Sequence, residues 1–392
     1  MLKSRYMFLF MALVLLSIKA NADTIFDFID LDLATTSRYY YVAAEGDSNN
    51  KYSKGFKAEA KFNYKYENIR FNGLAFTNWD STDDSRSYSN IRQANIYVNN
   101  NIFTFGLGVD TFFWGVSESI NVVNVLNQSD IMESLDGKVK YGQTFVSINT
   151  RFSNGDFSFY YLPLFQEQSF PERPSYGLAI SKNAVFEHDK KRGGIAARGL
   201  FYFDRLEFAL SYFKGTRRSA LLARHATEMA VLTPYYIQTV NYLVDGVYIA
   251  EDFTLKFEAK TGLEQNAGFT TFNLGIEYPS YAFSKLVEEV IFIAEYAFDD
   301  RKLSAETHGQ NDIFLGGKFN FGYSEQGNVR FLYSYDFDYR SQYAELSYEY
   351  RLNDYFRFKA KALKVLSAPE RDQRLYALSG EEFINLSLHY AF

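Results

Sequence analysis

Along most of this chain, apolar and polar side chains alternate with period two. From Phe56 to Tyr66 the even positions read Phe56, Ala58, Ala60, Phe62, Tyr64, Tyr66, and the odd ones Lys57, Glu59, Lys61, Asn63, Lys65. Phe253–Glu264 repeats the pattern, with Leu255, Phe257, Ala259 and Leu263 on one face and Lys256, Glu258, Lys260 and Glu264 on the other. In Val329–Tyr339, Phe331, Tyr333, Tyr335, Phe337 and Tyr339 face away from Arg330, Ser334, Asp336 and Asp338. A period of two turns every other side chain to the same face of a strand, so these segments are strands with one apolar and one charged face.

Read the same way, the remainder yields about 18 strands, with 16 the alternative. Short connections such as Glu67-Asn68, Ser153–Gly155 and Asn353-Asp354 mostly alternate with long ones such as Asp110–Lys138 and Gln166–Gly194. Three connections break the alternation: Glu264–Gly268 and Arg340-Ser341 are short where long ones are expected, and Pro279–Leu286 is the reverse. No linker, low-complexity tract or change of composition marks a domain boundary.

The chain opens MLKSRYMFLFMALVLLSIKANA, with Lys3 and Arg5 before an apolar core and Ala20-Asn21-Ala22 after it. That is the pattern of a cleaved secretory signal peptide over 1–22, leaving a single domain over 23–392. Residues 1–22 hold three of the 41 basic side chains and none of the 47 acidic ones, so the remainder carries a net charge of −9. An acidic, exported chain is a poor match for nucleic acid. The chain has no cysteine, which excludes disulfides and thiolate metal sites. Beyond the leader no apolar run is long enough for a helical membrane span. Yet there are 39 Phe and 32 Tyr against only 6 Pro, a strongly aromatic all-β composition.

These features converge on an all-β fold: a transmembrane antiparallel up-and-down β-barrel in the bacterial outer membrane, with both termini periplasmic. In hydrocarbon an open sheet edge leaves a row of backbone groups unsatisfied, so the sheet has to close on itself. The closing strand would be 383–392, where Ile384, Leu386, Leu388, Tyr390 and Phe392 alternate with Asn385, Ser387 and His389. A terminal strand ending on an aromatic is the signal that the barrel assembly machinery reads, which makes that machinery an expected partner. Outer-membrane lipid and lipopolysaccharide are the others, with Arg217, Arg218 and Arg224 as candidate contacts to its phosphates.

The inferred lumen face is lined by Lys57, Glu59, Lys61, Lys65, Lys256, Glu258, Lys260, Glu264, Arg357, Lys359 and Lys361. Mixed signs argue against a filter of one charge. Catalysis finds no support. The four histidines, His188, His225, His308 and His389, are scattered, and no nucleophile-elbow, zinc-protease or paired-carboxylate signature is present. No cofactor and no metal site is expected. The charged loops Asp80–Arg86, Glu187–Arg192 and Arg217–Arg224 read as solvated surfaces.

One stretch departs from the alternation: FWGVSESINVVNVLNQSD, Phe113–Asp130. With GKVKYGQ (Gly137–Gln143) after it, it resembles a family of proteobacterial outer-membrane porin-like proteins. The resemblance rests on Trp114, Gly115, Val116, Glu118, Ser119, Asn127, Gln128, Asp130, Lys140, Gly142 and Gln143. LPLFQEQSFP, FKGTRR, TPYY and AEYAFDDR further along look like later landmarks of the same family. Gln166 and Gln168 stand where the family carries arginines. The resemblance implies an outer-membrane barrel and supplies no substrate.

The expected function is therefore passage of small polar solutes through a porin-like channel, as monomer or homo-oligomer, with residues 110–137 folded inward as a constriction. Trp114 would anchor that loop, and Glu118, Asp130 and Glu133 would form its polar face. Two alternatives stay open: a barrel for a hydrophobic ligand or lipid, suggested by the aliphatic run Ile120–Leu126, and a structural or assembly partner in an envelope complex.

Overall fold

The computed structural model describes residues 29–41, 51–134, 136–170, 179–187, 193–224, 231–281, 283–284, 287–321, 326–378 and 382–392. Residues 1–22, expected to be a signal peptide, and His188 and His225 lie outside them.

Eighteen strands form one closed antiparallel barrel. They are β1 (Ile29–Tyr40), β2 (Tyr52–Tyr66), β3 (Ile69–Asp80), β4 (Tyr88–Asn99), β5 (Phe103–Asp110), β6 (Gln143–Phe152) and β7 (Gly155–Leu162), then β10 (Gly194–Phe203) and β11 (Leu206–Thr216). The wall continues with β14 (Gln238–Ile249), β15 (Thr254–Glu264), β16 (Ala267–Tyr281), β17 (Val287–Asp299) and β18 (Asn311–Phe321). It ends with β19 (Gly327–Asp336), β20 (Gln342–Arg351), β21 (Phe356–Ser367) and β22 (Phe383–Ala391). Four short strands, β8 (Ala179–Ile180), β9 (Val185–Phe186), β12 (Leu221–Arg224) and β13 (Val231–Tyr236), make a separate small sheet over one mouth. Each barrel strand pairs with its neighbour in the chain, and β1 closes on β22 from Asp32↔Ala391 to Tyr40↔Phe383.

The alternation read from sequence holds in three dimensions. Outward positions such as Phe105, Leu107, Val146, Leu274, Phe292 and Leu346 are exposed large apolar side chains. Inward ones such as Asn95, Ser147, Asp245, Asn273 and Glu345 are polar and buried. An apolar skin around a charged interior, with the sheet closed on itself, is the architecture that hydrocarbon permits.

Nine connections lie at one end of the barrel and eight at the other. Of the three that broke the alternation, the connection expected at Pro279–Leu286 begins only after the end of β16 at Tyr281, and the two short ones are tight turns at the long-loop end. Gln265 and Asn266, both at positive φ (48° and 66°), join β15 to β16, and Arg340 at φ 61° tightens the turn after β19. Asp336 ends β19 three residues before the expected boundary at Tyr339, because its Oδ1 accepts the amides of Asp338 and Tyr339 at 2.7 and 2.8 Å.

One register shift shapes the site. Between Leu74↔Gln93 and Ala75↔Ile91, β4 carries an extra residue, Arg92. The bulge lets the neighbours Arg92 and Gln93 both turn inward. Arg92 then reaches Glu59, and Gln93 donates to Asp110 at 2.9 Å.

Candidate functional site

The segment between β5 and β6, residues 111–142, lies inside the barrel. Asn127 closes its neck. Its Oδ1 accepts the Phe112 amide at 2.9 Å, and its Nδ2 donates to the carbonyls of Asp110 (2.9 Å) and Tyr141 (2.8 Å). Those bonds tie both ends of a long excursion to one amide, so the loop leaves and rejoins the wall at the same place. Gly142 completes the seam, because a Cβ there would sit 2.7 Å from the Arg92 carbonyl oxygen and 2.4 Å from Val109.

From the neck the first arm runs along the wall past β7 and β10. Trp114 is 4% exposed, with Tyr160 edge-on at 6.2 Å and the Arg198 guanidinium over its ring at 5.1 Å. Next the backbone wraps around a wall carboxylate. Glu258 on β15 accepts the amides of Val116 (2.7 Å), Ser117 (2.8 Å) and Val122 (2.7 Å) and the side-chain amide of Asn121 (2.8 Å). Gly115 adopts φ +113° beside it, with room for no side chain. Glu295 on β17 repeats the grip, accepting the Glu118 amide at 2.7 Å and both the amide and hydroxyl of Ser119. Asn273 on β16 fills the gap by donating to the Ile120 carbonyl at 2.9 Å. A carboxylate that accepts several backbone amides satisfies a loop lacking secondary structure of its own.

The aliphatic run does the rest of the holding. Ile120, Val122, Val123, Val125 and Leu126 are buried in one cluster with Phe145, Leu162, Phe213, Leu243, Phe314 and Leu332. Burial of each such side chain contributes about 1.5–3 kcal/mol relative to exposure. The run that suggested a hydrophobic ligand is packed against the loop's own wall and offers no ligand surface.

Glu118 marks the far reach of this arm. Its carboxylate sits between Lys256 (2.9 Å) and Lys318 on β18 (2.8 Å), and its carbonyl takes a bond from Arg330 on β19 (2.7 Å). Burial alone would raise that carboxyl; the two ammonium groups outweigh it and hold it down at about 2.

The second arm, 130–138, crosses to the opposite side and is held by charge. Asp130, 0% exposed, accepts the Tyr88 hydroxyl at 2.6 Å and lies 3.4 Å from Arg92. Glu133 pairs with Arg92 and, at 3.2 Å, with Lys57 on β2. Asp136 pairs with Lys361 on β21 at 2.6 Å. Burial works to raise the Glu133 and Asp136 carboxyls, yet these cations hold both below the ordinary carboxylate range.

In wall order β2 is the second strand and β15 the eleventh of eighteen, nine apart, which puts them diametrically opposite. One loop is thus bonded to both.

Of the expected constriction residues, Glu118 and Glu133 keep some solvent contact, while Trp114 and Asp130 are buried fixings within the loop's own support. The expected lumen-lining residues face inward, with different fates. Lys61, Lys65, Arg357 and Lys359 are open to the interior. Lys57, Lys256 and Lys361 bond the loop, and Glu59 faces Arg92. Glu258 (0% exposed) and Lys260 (1%) are sealed beneath loops rather than solvated.

Two loop expectations are corrected. Arg217 is 1% exposed, bonded to Glu264 at 3.1 Å and 3.6 Å from Glu306. Arg218 is 8% exposed, donates to the Val125 carbonyl at 3.3 Å and stacks on Phe165 and Phe213. Neither cation presents itself to phosphate, and the Arg224 side chain lies outside the described residues. In the Asp80–Arg86 loop, Asp83 and Arg86 are buried, and Arg86 donates to the Met132 carbonyl. Residues 188–192 lie outside the described ones. His389 faces the lumen between Asp32 (2.8 Å) and Ser387 (3.1 Å).

Sequence reading missed Glu295, Asn273, Lys318 and Arg330. Their signal was a polar residue in mid-strand on the face opposite the aromatics, a signal shared with positions such as Asn72 and Asp245 that bond to nearby strands.

No protein-family model and no curated protein sequence matches the chain. Among solved structures, the chain is similar to a mutant porin of Rh. blastica, at 11% identity and a TM-score of 0.45 over 93% of this chain and 99% of that one. It is likewise similar to a triple mutant of the Rhodopseudomonas blastica porin, at 10% identity, a TM-score of 0.45 and the same coverage.

Proposed function

We propose that the chain is an outer-membrane, porin-like channel for small polar solutes, narrowed by residues 110–137. One observation carries this reading: a single loop is bonded to wall strands nine positions apart in an eighteen-strand barrel, so it crosses the lumen. The wall left to solvent, around Lys61, Lys65, Arg357 and Lys359, is charged and hydrophilic. Such a surface favours hydrated solutes and disfavours acyl chains. The mixed signs along the loop suit weak rather than strict charge selection.

The test is ion conductance of the purified barrel in planar bilayers, with the wild type set against a variant lacking residues 116–137. The full chain should conduct, and the deletion should conduct several-fold more. A folded wild type without conductance overturns the channel. An unchanged conductance in the deletion overturns the constriction alone.

A further inference from the structure

The wall has a notch beside the loop's neck. β5 stops at Asp110, where the chain turns inward, and its pairing with β4 begins only at Ala94↔Val109. Among the described residues no strand pairs with that edge of Tyr88–Gln93. Unpaired backbone is tolerated in such a wall only where it lines a cavity or is covered by protein. A cavity of ≈ 350 Å³ lies there. It is bordered by Ser85, Asn90 and Ile91 on the β4 side, by Tyr141, Gln166 and Ser169 opposite, and by Met132 on the loop.

Two features separate this cavity from the rest of the interior. First, none of the described residues bordering it is ionised. The neighbouring recess against β1 and β2, by contrast, is lined by Arg38, Lys57, Asp80, Arg86 and Glu133. Second, Asn90 has both amide atoms buried without a protein partner. Leaving a donor and an acceptor unmade together is costly, and a turn of the side chain toward the cavity lets an uncharged ligand with hydroxyl groups satisfy both. The rings of Tyr88 and Tyr141, 6.4 Å apart and inclined at 60°, stand beside these polar groups, Tyr141 6% exposed. The size falls at the lower end of small-molecule sites.

We propose that this notch binds a neutral, polyhydroxylated solute of one or two sugar rings, held by serine, asparagine and glutamine groups against the two tyrosines. The proposal rests on the channel reading and names the class of solute the mouth would collect. An anionic sugar gains nothing here, because no cation is among the described residues bordering the cavity and Asp130 stands behind Tyr88.

Maltose is the probe and glucuronate the charged control, each titrated onto the full chain conducting in planar bilayers. Maltose should lower the ion current saturably and glucuronate should not. Asn90→Leu and Ser169→Leu should each weaken the maltose effect about tenfold, the loss of one or two hydrogen bonds. Ser169 lies on an exposed loop, so its variant folds even where the strand variant does not. A conducting barrel indifferent to maltose overturns the site and leaves the channel standing, and so does an equal response in wild type and both variants. A barrel without conductance overturns the channel instead. Calorimetric titration of maltose into the detergent-solubilised chain then decides the site by itself, heat of binding supporting it and its absence overturning it.

Discussion

Glu258 Oε2 accepts the backbone amide of Val122 at 2.7 Å, while its Oε1 accepts those of Val116 and Ser117. Residues 136 to 142 positions apart in the chain are joined there by one carboxylate, and the loop is wound around it. An amide side chain cannot replace it, because its NH₂ would face amide donors where an oxygen is required. Glu258→Gln should therefore free residues 116–123 and destabilise their docking by about 1–3 kcal/mol. Hydrogen exchange at these amides should accelerate, and conductance should rise, while the barrel stays folded.

Gly115 tests the same grip from the loop's side. At φ +113° its hydrogen lies where a Cβ would meet Glu258 Oε1 at 2.7 Å. Gly115→Ala combines backbone strain with a clash against a carboxylate already committed to four donors. The expected cost is on the order of 1–3 kcal/mol in loop docking. Limited proteolysis of the folded barrel should then cut within 113–124 faster than in the wild type.

The two arms of the loop are held by different forces, and salt and acid should distinguish them. The first is packed in an apolar cluster; the second rests on Lys57, Arg92 and Lys361 opposite Glu133, Asp130 and Asp136. Glu133 and Asp136 have folded-state pKa values below their unfolded ones. Their contribution is thus complete above the ordinary carboxylate range and is lost as pH falls through the lowered values. Release of 130–138 should therefore occur only in strong acid, below about pH 4, and not near pH 6. Molar salt, which shortens screening to about 3 Å, should increase exchange in 130–138 and leave 116–126 unchanged. Equal responses in both arms would contradict this division.

The barrel was legible because period two is imposed by lipid outside and charge inside along every strand. Phe56–Tyr66, Leu255–Leu263 and the closing strand each display it without reference to anything distant. The exceptions have local causes that propensity does not show: the bulge at Arg92, the paired positive-φ residues Gln265 and Asn266, and the turn that Asp336 stabilises. The inward loop was legible as a break in the pattern. Its attachments were not, because Glu258, Glu295 and Arg330 lie 136 to 212 residues from the atoms they bond. Nothing near Glu258 in sequence distinguishes it from Glu264, which bonds arginines instead. Charged loops read as solvated for the same reason: Arg217 finds its carboxylates only once the loops are stacked.

His308, in the loop between β17 and β18, supplies the last test. Its ring stands edge-on to Tyr343 at 4.9 Å and to Phe314 at 5.9 Å, and its Nε2 has no partner. Burial pushes its pKa down to about 4, Arg374 adds to the effect, and Asp372 opposes it. A histidine kept neutral in the folded state contributes stability that is complete above its unfolded value of 6.5. That contribution is lost progressively as pH falls from there toward 4, since the unfolded chain takes up the proton first. His308→Phe keeps the aromatic packing and removes the titration. Thermal unfolding of the wild type should shift downward between pH 6.5 and 5, and the variant should show a flatter profile there. The loop carbonyls of Leu303 and Thr307, both bonded to Arg374, should stay in place in both proteins. Identical slopes in the two proteins would show that His308 is protonated in the folded barrel, and its contact with Tyr343 would then need a charge to explain it.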